Sequence, residues 1–326
     1  MNTVVAELPP ASSRAASYAR CVVTSRDNDW QIDRDLLRGR SLDFGRKFLP
    51  DGLSLVDRIA GLSDDEERLL SQIQGRTYAY IFGLVERFIS VKMLEQGRAH
   101  GLGDQLAFEG LVRFANEEIK HQELFRRIDQ MIGADLPAGY RQVADPNHVA
   151  QAVLAASAWS VLALTCHIEL FVQSHYVRSI AERDEICPLF RDVFKFHWKD
   201  ECRHVVLDEL EWSAEDARLT PAQRDAAVDD FIALVGAVDS LLVAQAAADA
   251  EYFATCARRD FSEAQRQAIE HGVLRAYRWQ YIVSGVQHTR FAQLLGGMTT
   301  PAQLERIQRA LAPIRKDLDP RSSSRC

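Results

Sequence analysis

The six cysteines of the 326-residue chain lie far apart, and none of them forms the C-x-x-C pair of a zinc knuckle or a dithiol redox site. We therefore expect free thiols in a reducing, cytoplasmic compartment. No run of lysine and arginine makes a basic patch, and the net charge of -7 gives no reason to expect nucleic acid as a partner. A glycine-rich phosphate loop, a G-x-S-x-G element and strand-rich segments are also missing. The chemistry must therefore come from other side chains.

Signals for secretion or membrane insertion are also missing. The first residues, MNTVVAELPPASS, lack a basic start followed by an apolar core, so we expect no signal peptide. Residues 149–168 carry no charge across twenty positions, which is long enough for a membrane span. Polar residues interrupt this stretch, however, and Glu169 follows it directly. We interpret it as a central helix buried within a bundle, and we expect no membrane partner.

Hydrophobic periodicity predicts an all-α protein whose parts pack into one domain. Residues 1–62 are predicted to form an N-terminal arm with little regular structure, packed on the outside. Residues 63–217 are predicted to form a four-helix bundle, and residues 218–326 additional helices packed on it and a polar tail. The predicted helices span about 63–97, 104–133, 146–183 and 188–217 in the bundle, and 220–256, 262–295 and 300–311 after it. Ser63 and Glu66 form a capping box at the first of them.

A carboxylate stands on the apolar stripe of each predicted bundle helix, where burial costs free energy unless something binds it. Two of these carboxylates are followed three residues later by a histidine, about 60° round the helix, so that each pair reaches one point. The series is Glu86, then Glu118 with His121, then Glu169, then Glu201 with His204. Glu86 precedes Glu118 by 32 residues, and Glu169 precedes Glu201 by the same 32. This repeated spacing favours a four-helix bundle that holds two metal ions.

His197 breaks the symmetry of the two halves. It lies one helical turn before Glu201 on the same stripe, whereas the matching position before Glu118 is Phe114. His197 could also be a core histidine beside Phe194. Because it shares its stripe with two expected ligands, we favour a third imidazole ligand.

Residues beside the ligands are candidates to orient them. A metal-bound histidine usually donates its far ring nitrogen to a carboxylate. We expect Asp200 to accept from His121, and Glu117 to accept from His204. Arg203 is placed to form an ion pair behind them, and Asp208 is a further candidate.

The ligand types restrict the metal. Carboxylates and imidazoles suit iron or manganese in a dinuclear site and do not suit structural zinc. Two ferrous ions held together can deliver two electrons to O2. We therefore predict two iron ions, O2 as cosubstrate and an external electron donor.

Across residues 63–217 the sequence resembles the ferritin-like di-iron carboxylate superfamily. With His197, the fourth helix reads His-x-x-x-Glu-x-x-His, which resembles the AurF-type family of p-aminobenzoate N-oxygenases. The resemblance implies metal-ligand roles for Glu86, Glu118, His121, Glu169, His197, Glu201 and His204. It also implies oxidation of an amine to a hydroxylamine, nitroso or nitro product in specialised metabolism. The amine would be small or tethered to a carrier protein, and we expect a homodimer.

Other functions fit less well. The metal ligands do not choose between nitrogen and carbon, so a di-iron hydroxylase or desaturase acting on C–H bonds stays open. Phe125 stands where a ribonucleotide reductase radical subunit has its radical tyrosine, which disfavours that function. Residues 218–326 exceed what an iron-storage cage needs.

The remaining histidines and the expected pocket complete the predictions. We interpret the other helical histidines as structural or surface residues: His167, His175, His271 and His288. The side chains expected around the metals are mostly apolar, and no inward arginine or lysine clearly offers a partner for a substrate carboxylate. A modest-sized or tethered amine would fit such a site.

Overall fold

Helices dominate the structure, a computed structural model that describes residues 13–318. In this part of the chain the only strand-like pairing is an isolated bridge between Lys47 and Ile186. The α-helices are α1 Arg14–Asp27, α2 Asp51–Ser54, α3 Asp64–His100, α4 Gln105–Asp135, α5 Pro146–Leu154, α6 Ala158–His175, α7 Pro188–Asp216, α8 Pro221–Cys256, α9 Glu263–Arg278, α10 Ser284–Val286, α11 Thr289–Met298 and α12 Pro301–Leu318. Short π-helices span Ile32–Leu37, Tyr176–Ile180 and Trp279–Val283, and Val56–Arg58 is a 3-10 turn. The predicted all-α class, a four-helix bundle with additional C-terminal helices, is confirmed.

The four-helix bundle consists of α3, α4, α6 and α7, with α3 packed along α4 and α6 along α7. The capping box begins α3 as expected, since Ser63 Oγ accepts from the Glu66 amide and Glu66 accepts from the Ser63 amide at 2.8 Å. Only a short turn separates α3 from α4, so the two helices run antiparallel as neighbours. Helix α7 begins with Pro188 in its first turn.

The prediction of one continuous helix over residues 146–183 is wrong. This stretch consists of α5 and α6, which are separated at residues 155–157, and it ends in the π-helix Tyr176–Ile180. The Ser157 amide at the start of α6 donates to Asp230 of α8 at 3.0 Å, so a carboxylate distant in sequence caps the new helix. The uncharged stretch 149–168 is therefore not one membrane-length helix.

Helix α8 is long and apolar enough to cross a membrane by length and composition, and it is the one such helix in the described part of the chain. About a third of its most apolar window is buried (33%). Its outward positions carry mainly small side chains, among them Ala233, Gly236, Ala237, Ser240 and Ala244. Its inward side carries polar anchors: Gln245 donates to the Arg141 carbonyl at 3.0 Å, and Asp249 accepts from Thr77 at 2.6 Å.

The expectation of an irregular outer arm is wrong for the described residues 13–62, and residues 1–12 lie outside the described part. Helix α1 packs on α4 and α7 and buries Tyr18, Cys21, Val22 and Ser25, which recur at helical spacing. Further along, the buried Phe48 and Leu49 donate their amides to Ser71 Oγ of α3. The polar residues between the apolar ones concealed this helical period.

The later helices also differ from expectation. The predicted helix over 262–295 is divided into α9, a π-helix, α10 and α11, and α12 runs to Leu318 through Pro313. The His167 ring of α6 occupies the break: it donates to the Ile282 carbonyl at 3.0 Å and lies directly against Gly285. A β-carbon at Gly285 would stand 2.3 Å from His167 Nε2, so only glycine fits there.

A buried carboxylate joins α8 to α3 and α9. Asp249 accepts hydrogen bonds from Thr77 at 2.6 Å, from Gln245 at 2.8 Å and from the Tyr277 hydroxyl. Burial raises the pKa of Asp249 to about 7, against the opposing effect of these hydrogen bonds. The folded protein therefore holds this proton more tightly than the unfolded chain does.

This pKa shift predicts a pH-dependent stability. Between about pH 4 and 7 the unfolded chain loses the Asp249 proton before the folded protein does, so this residue's contribution to stability falls as pH rises. Asp249→Asn removes that loss. The free energy of unfolding of Asp249→Asn, measured in urea and compared with wild type, should rise across this window and level off above pH 7.

The control is Asp239→Asn on the same helix, whose carboxylate forms an ion pair with Arg278. Its difference from wild type should not show that rise. Parallel pH curves for wild type and Asp249→Asn would contradict the assignment.

Candidate metal centre

All seven predicted ligands lie in the middle of the bundle, and each has at most 2% of its surface exposed. Helix α3 contributes Glu86, α4 contributes Glu118 and His121, α6 contributes Glu169, and α7 contributes His197, Glu201 and His204. On α4 and α7 the spacing of three and four residues directs these side chains to one face. The structure thus brings together what the sequence places up to 118 residues apart.

Six of the seven form two overlapping sets of potential ligands. One set is Glu86, His121, His197 and Glu201, and the other is Glu118, His121, Glu201 and His204. Within each set the ligand atoms lie within 4.8 Å of one another. His121 and Glu201 belong to both, so the two positions are adjacent. Glu169 lies beside Glu201, with which it shares a side-chain hydrogen bond.

The unpaired atoms of this cluster fit a pair of divalent cations. Two buried carboxylate oxygens have no hydrogen-bond partner among the described residues: Glu86 Oε2 and Glu169 Oε2. Two more face imidazole nitrogens: Glu118 Oε1 lies 2.7 Å from His204 Nδ1, and Glu201 Oε1 lies 2.6 Å from His197 Nε2 and 3.2 Å from His121 Nδ1. Buried anionic oxygens are costly when unpaired, and they converge here on common points with imidazole nitrogens. A cation at those points satisfies both.

Without a cation, the cluster holds protons instead. Burial, and then the charge of Glu201, raises the pKa of the Glu169 carboxyl well above its usual range. Burial lowers the pKa of His121, but the carboxylates around it, Glu201 first, outweigh burial and raise that pKa to about 9. Metal binding must displace such protons, so affinity for metal should increase with pH.

Two carboxylates orient two of the imidazoles, as the sequence predicted. His121 Nε2 donates to Asp200 at 3.1 Å, and His204 Nε2 donates to Glu117 at 2.8 Å. Arg203 bridges the two carboxylates, at 2.9 Å from Glu117 and 2.5 Å from Asp200. Both histidines therefore present Nδ1 to the centre, and these bonds hold their rings in place.

His197 is held differently. Its Nε2 faces Glu86 at 3.2 Å and Glu201 at 2.6 Å, while its buried Nδ1 has no hydrogen-bond partner in the described chain. The rings of Phe82 and Phe125 pack against it, with centroids 5.4 and 4.9 Å away. The matching position on α4 carries Phe114, whose ring stacks on His204 at 3.7 Å. The centre is asymmetric in ligands and in support.

The sequence did not predict the part that the arm plays. Trp30 Nε1 donates to Asp200 at 2.8 Å, and Lys120 lies 2.9 Å from the same carboxylate and over the Trp30 ring. Ser25 of α1 donates to Glu117 at 2.7 Å. An isolated tryptophan in a polar segment was the available signal, but nothing local pointed to its partner.

The structure also tests three expectations about residues near the predicted ligands: Asp208, His175 and His167. Asp208 does not orient His204, because neither of its buried oxygens has a hydrogen-bond partner among the described residues. His175 is structural: its Nδ1 accepts from Tyr78 at 2.7 Å, and its Nε2 donates to Ser284 at 2.9 Å. Burial lowers the pKa of His175 to about 3, so its ring is neutral. His167 is also structural: it is buried, and its Nε2 donates to the Ile282 carbonyl at 3.0 Å.

One known protein family matches most of the chain. The family model of p-aminobenzoate N-oxygenase AurF matches residues 43–281. The chain belongs to the AurF family. The matched segment contains all seven predicted ligands, and it also includes the segment around Phe48 and the α8 and α9 helices outside the bundle. Family and buried Glu/His cluster together make the chain a di-iron oxygenase. The individual ligand roles stay predictions.

Comparison with solved structures gives more distant likenesses. Two are variants of an R2-like ligand-binding oxidase, one with an anaerobically and one with an aerobically reconstituted Mn/Fe cofactor. They share 13% and 15% identity with the chain, at TM-scores of 0.42 and 0.40. In both, the match covers 84% of this chain and 94% of the other. A comparison with curated protein sequences gave no match.

The Asp200 contacts predict an effect on metal affinity. Asp200→Asn removes the charge that holds His121, while the fold of α7 stays intact. We expect affinity for Mn2+ or anaerobic Fe2+ to fall by about 10- to 100-fold, as is usual when such a partner of a ligand is lost. Competition against a chromophoric chelator measures this.

Asp192→Asn is the control, because it lies on the same helix and forms an ion pair with Arg40 near the surface. Its affinity should equal that of wild type. Equal affinities for all three proteins would show that Asp200 does not support the metal.

Proposed function

We propose that the protein is a di-iron N-oxygenase, which uses O2 and an external electron donor to oxidise the amine nitrogen of a small or carrier-tethered substrate. The observation that carries this proposal is the third imidazole, His197, directed at one side of a Glu/His cluster within the AurF family. A symmetric cluster would support only a di-iron protein. The asymmetric one supports the chemistry for which the family is named.

Iron bound here would supply the electrons that reduce O2 beside the substrate nitrogen. The chain itself holds the imidazole rings in position and keeps water out of the centre. Asp200 and Glu117 fix the rings of His121 and His204 and increase their basicity, whereas His197 has no such partner. Phe82, Phe114 and Phe125 surround the imidazoles and exclude water, which strengthens electrostatic interactions within the centre.

A second candidate is a hydroxylase or desaturase that acts on C–H bonds. One observation favours it: the cavity beside Phe82 is lined by hydrocarbon side chains almost throughout. An aliphatic chain would fit there as well as an amine would. Product analysis separates the two functions, because the added oxygen resides on nitrogen in one and on carbon, or is absent, in the other.

The decisive experiment starts from metal-free protein loaded anaerobically with Fe(II) and then exposed to O2 in the presence of a panel of amines. We expect two irons per chain, an optical change on O2 exposure, and products that gain oxygen at nitrogen by mass spectrometry. Alkyl hydroxylation without nitrogen oxidation would establish the second candidate. Absence of iron uptake and of any optical change would exclude both.

His197→Ala tests the feature on which the proposal depends. The variant should fold and retain part of its iron, because six of the predicted ligands remain, but amine oxidation should fall strongly. Iron content, the optical spectrum after O2 and turnover are the measurements. His148→Ala, at an exposed histidine, is the matched control and should behave as wild type. An unchanged spectrum and turnover in His197→Ala would remove this residue from the metal.

The homodimer, the electron donor and the cytoplasmic location stay predictions from the sequence.

A further inference from the structure

An inner cavity of about 70 Å3 lies next to the metal centre. Its wall includes Phe82 and Val85 of α3 and Ile168 and Phe171 of α6, which flank the predicted ligands Glu86 and Glu169 in sequence. The Phe82 ring also contacts the His197 ring, at 5.4 Å between centroids. One aromatic side chain therefore separates the inner cavity from the imidazole that makes the centre asymmetric.

An outer cavity of about 220 Å3 lies beside the inner one. It lies between α6, α8, the π-helix Trp279–Val283, α11 and α12, and its lining is mainly apolar. The two cavities share Leu164, Val238 and Tyr281 as a common wall. Their combined volume is near the lower end of the range for ligand pockets, about 300 Å3, which suits a small molecule.

Tyr281 offers an unused polar group at the common wall. Its side chain is 5% exposed, and its buried hydroxyl has no hydrogen-bond partner among the described residues. Burial raises the pKa of Tyr281 well above its usual range, so the hydroxyl stays protonated and can donate. A buried polar group without a partner is costly, and a ligand that passes through the cavities would supply the missing acceptor.

A basic depression on the surface borders the outer cavity. Arg315 lines both the outer cavity and this depression, which Arg58, Trp279 and Gln287 also line. Neither arginine side chain has an ion pair or hydrogen bond with another described residue, and no acidic side chain lines the outer cavity or the depression within residues 13–318. In contrast, the neighbouring Arg278 is paired with Asp239 and Asp317.

On the basis of the proposed function, we propose that the substrate is an elongated, mainly apolar amine with an anionic group at its far end. The amine reaches the inner cavity beside Phe82, the apolar body passes Tyr281, and the anion pairs with Arg315 and Arg58. The anion is a carboxylate of a free acid or a phosphate of a carrier-bound arm, because guanidinium groups bind both. This geometry supplies the anion partner that the sequence did not reveal inside the bundle.

The first test measures binding to metal-free protein by calorimetry, so that it does not depend on turnover. The probes are ω-aminododecanoate, its methyl ester and ω-aminododecyl phosphate. We expect the ester to bind about tenfold more weakly than the acid, since it lacks the charge that pairs with arginine. Tighter binding of the phosphate would identify a tethered arm as the source of the anion, and tighter binding of the carboxylate would identify a free acid.

Two variants with matched controls locate the binding site. Arg315→Glu should weaken binding of the acid about tenfold or more, whereas Lys316→Glu, the same charge change one residue on, should not. Val238→Trp should abolish binding by filling the common wall, whereas Val243→Trp, exposed on the same helix, should leave it unchanged. Equal effects within either pair, or equal binding of acid and ester, would overturn the proposal.

Binding and turnover together distinguish a failure of the substrate proposal from a failure of the proposed function. Binding with the expected pattern, together with iron-loaded enzyme that oxidises no amine, would retain the substrate shape and reject N-oxygenation. Oxidation of uncharged amines with a KM unaffected by Arg315→Glu would retain N-oxygenation and reject the substrate class.

Discussion

The structure depends on the cost of holding four carboxylates in the core of a helical bundle. Glu86, Glu118, Glu169 and Glu201 are almost fully buried, and each has an oxygen that either has no partner or faces only imidazole nitrogens among the described residues. Protons and imidazolium charge relieve part of this cost in the metal-free protein, as the raised pKa of His121 indicates. Two divalent cations would relieve it more completely, since they would also use the imidazole nitrogens that face the same points. The rest of the chain is arranged around this requirement.

Elements on one side of the centre hold its predicted ligands in place, and elements on the other side enclose the cavities beside it. On one side, α1 and Trp30 complete the hydrogen bonds of Glu117 and Asp200, which in turn hold His204 and His121. On the other side, α6, α8, α11 and α12 enclose two neighbouring cavities, of which the inner one is lined by Phe82. Support is polar and lies behind the imidazoles, whereas access is apolar and lies beside His197. This difference explains why the chain has elements both before and after the four bundle helices that pack against the bundle.

The sequence predicted the features that arise from local spacing and missed those that depend on distant contacts. Ligand pairs three residues apart, the stripe position of His197 and the capping box at Ser63 follow from helical geometry alone. The break at residues 155–157 could not be predicted, because Asp230 from another helix caps α6. The π-helix at Trp279–Val283 likewise accompanies the His167 ring at Gly285, and the contact of Trp30 with Asp200 spans 170 residues. Periodicity within a window contains no information about such partners.

We predict an asymmetric dinuclear centre in which His197 binds one of two ions. Crystals of the anaerobic, Fe(II)-loaded protein, with diffraction recorded on both sides of the iron absorption edge, test this prediction. Two iron peaks should appear between α3, α4, α6 and α7, with Glu201 next to both and His197 Nε2 bonded to only one. A single peak, or two peaks with the His197 ring turned away from both, would contradict it.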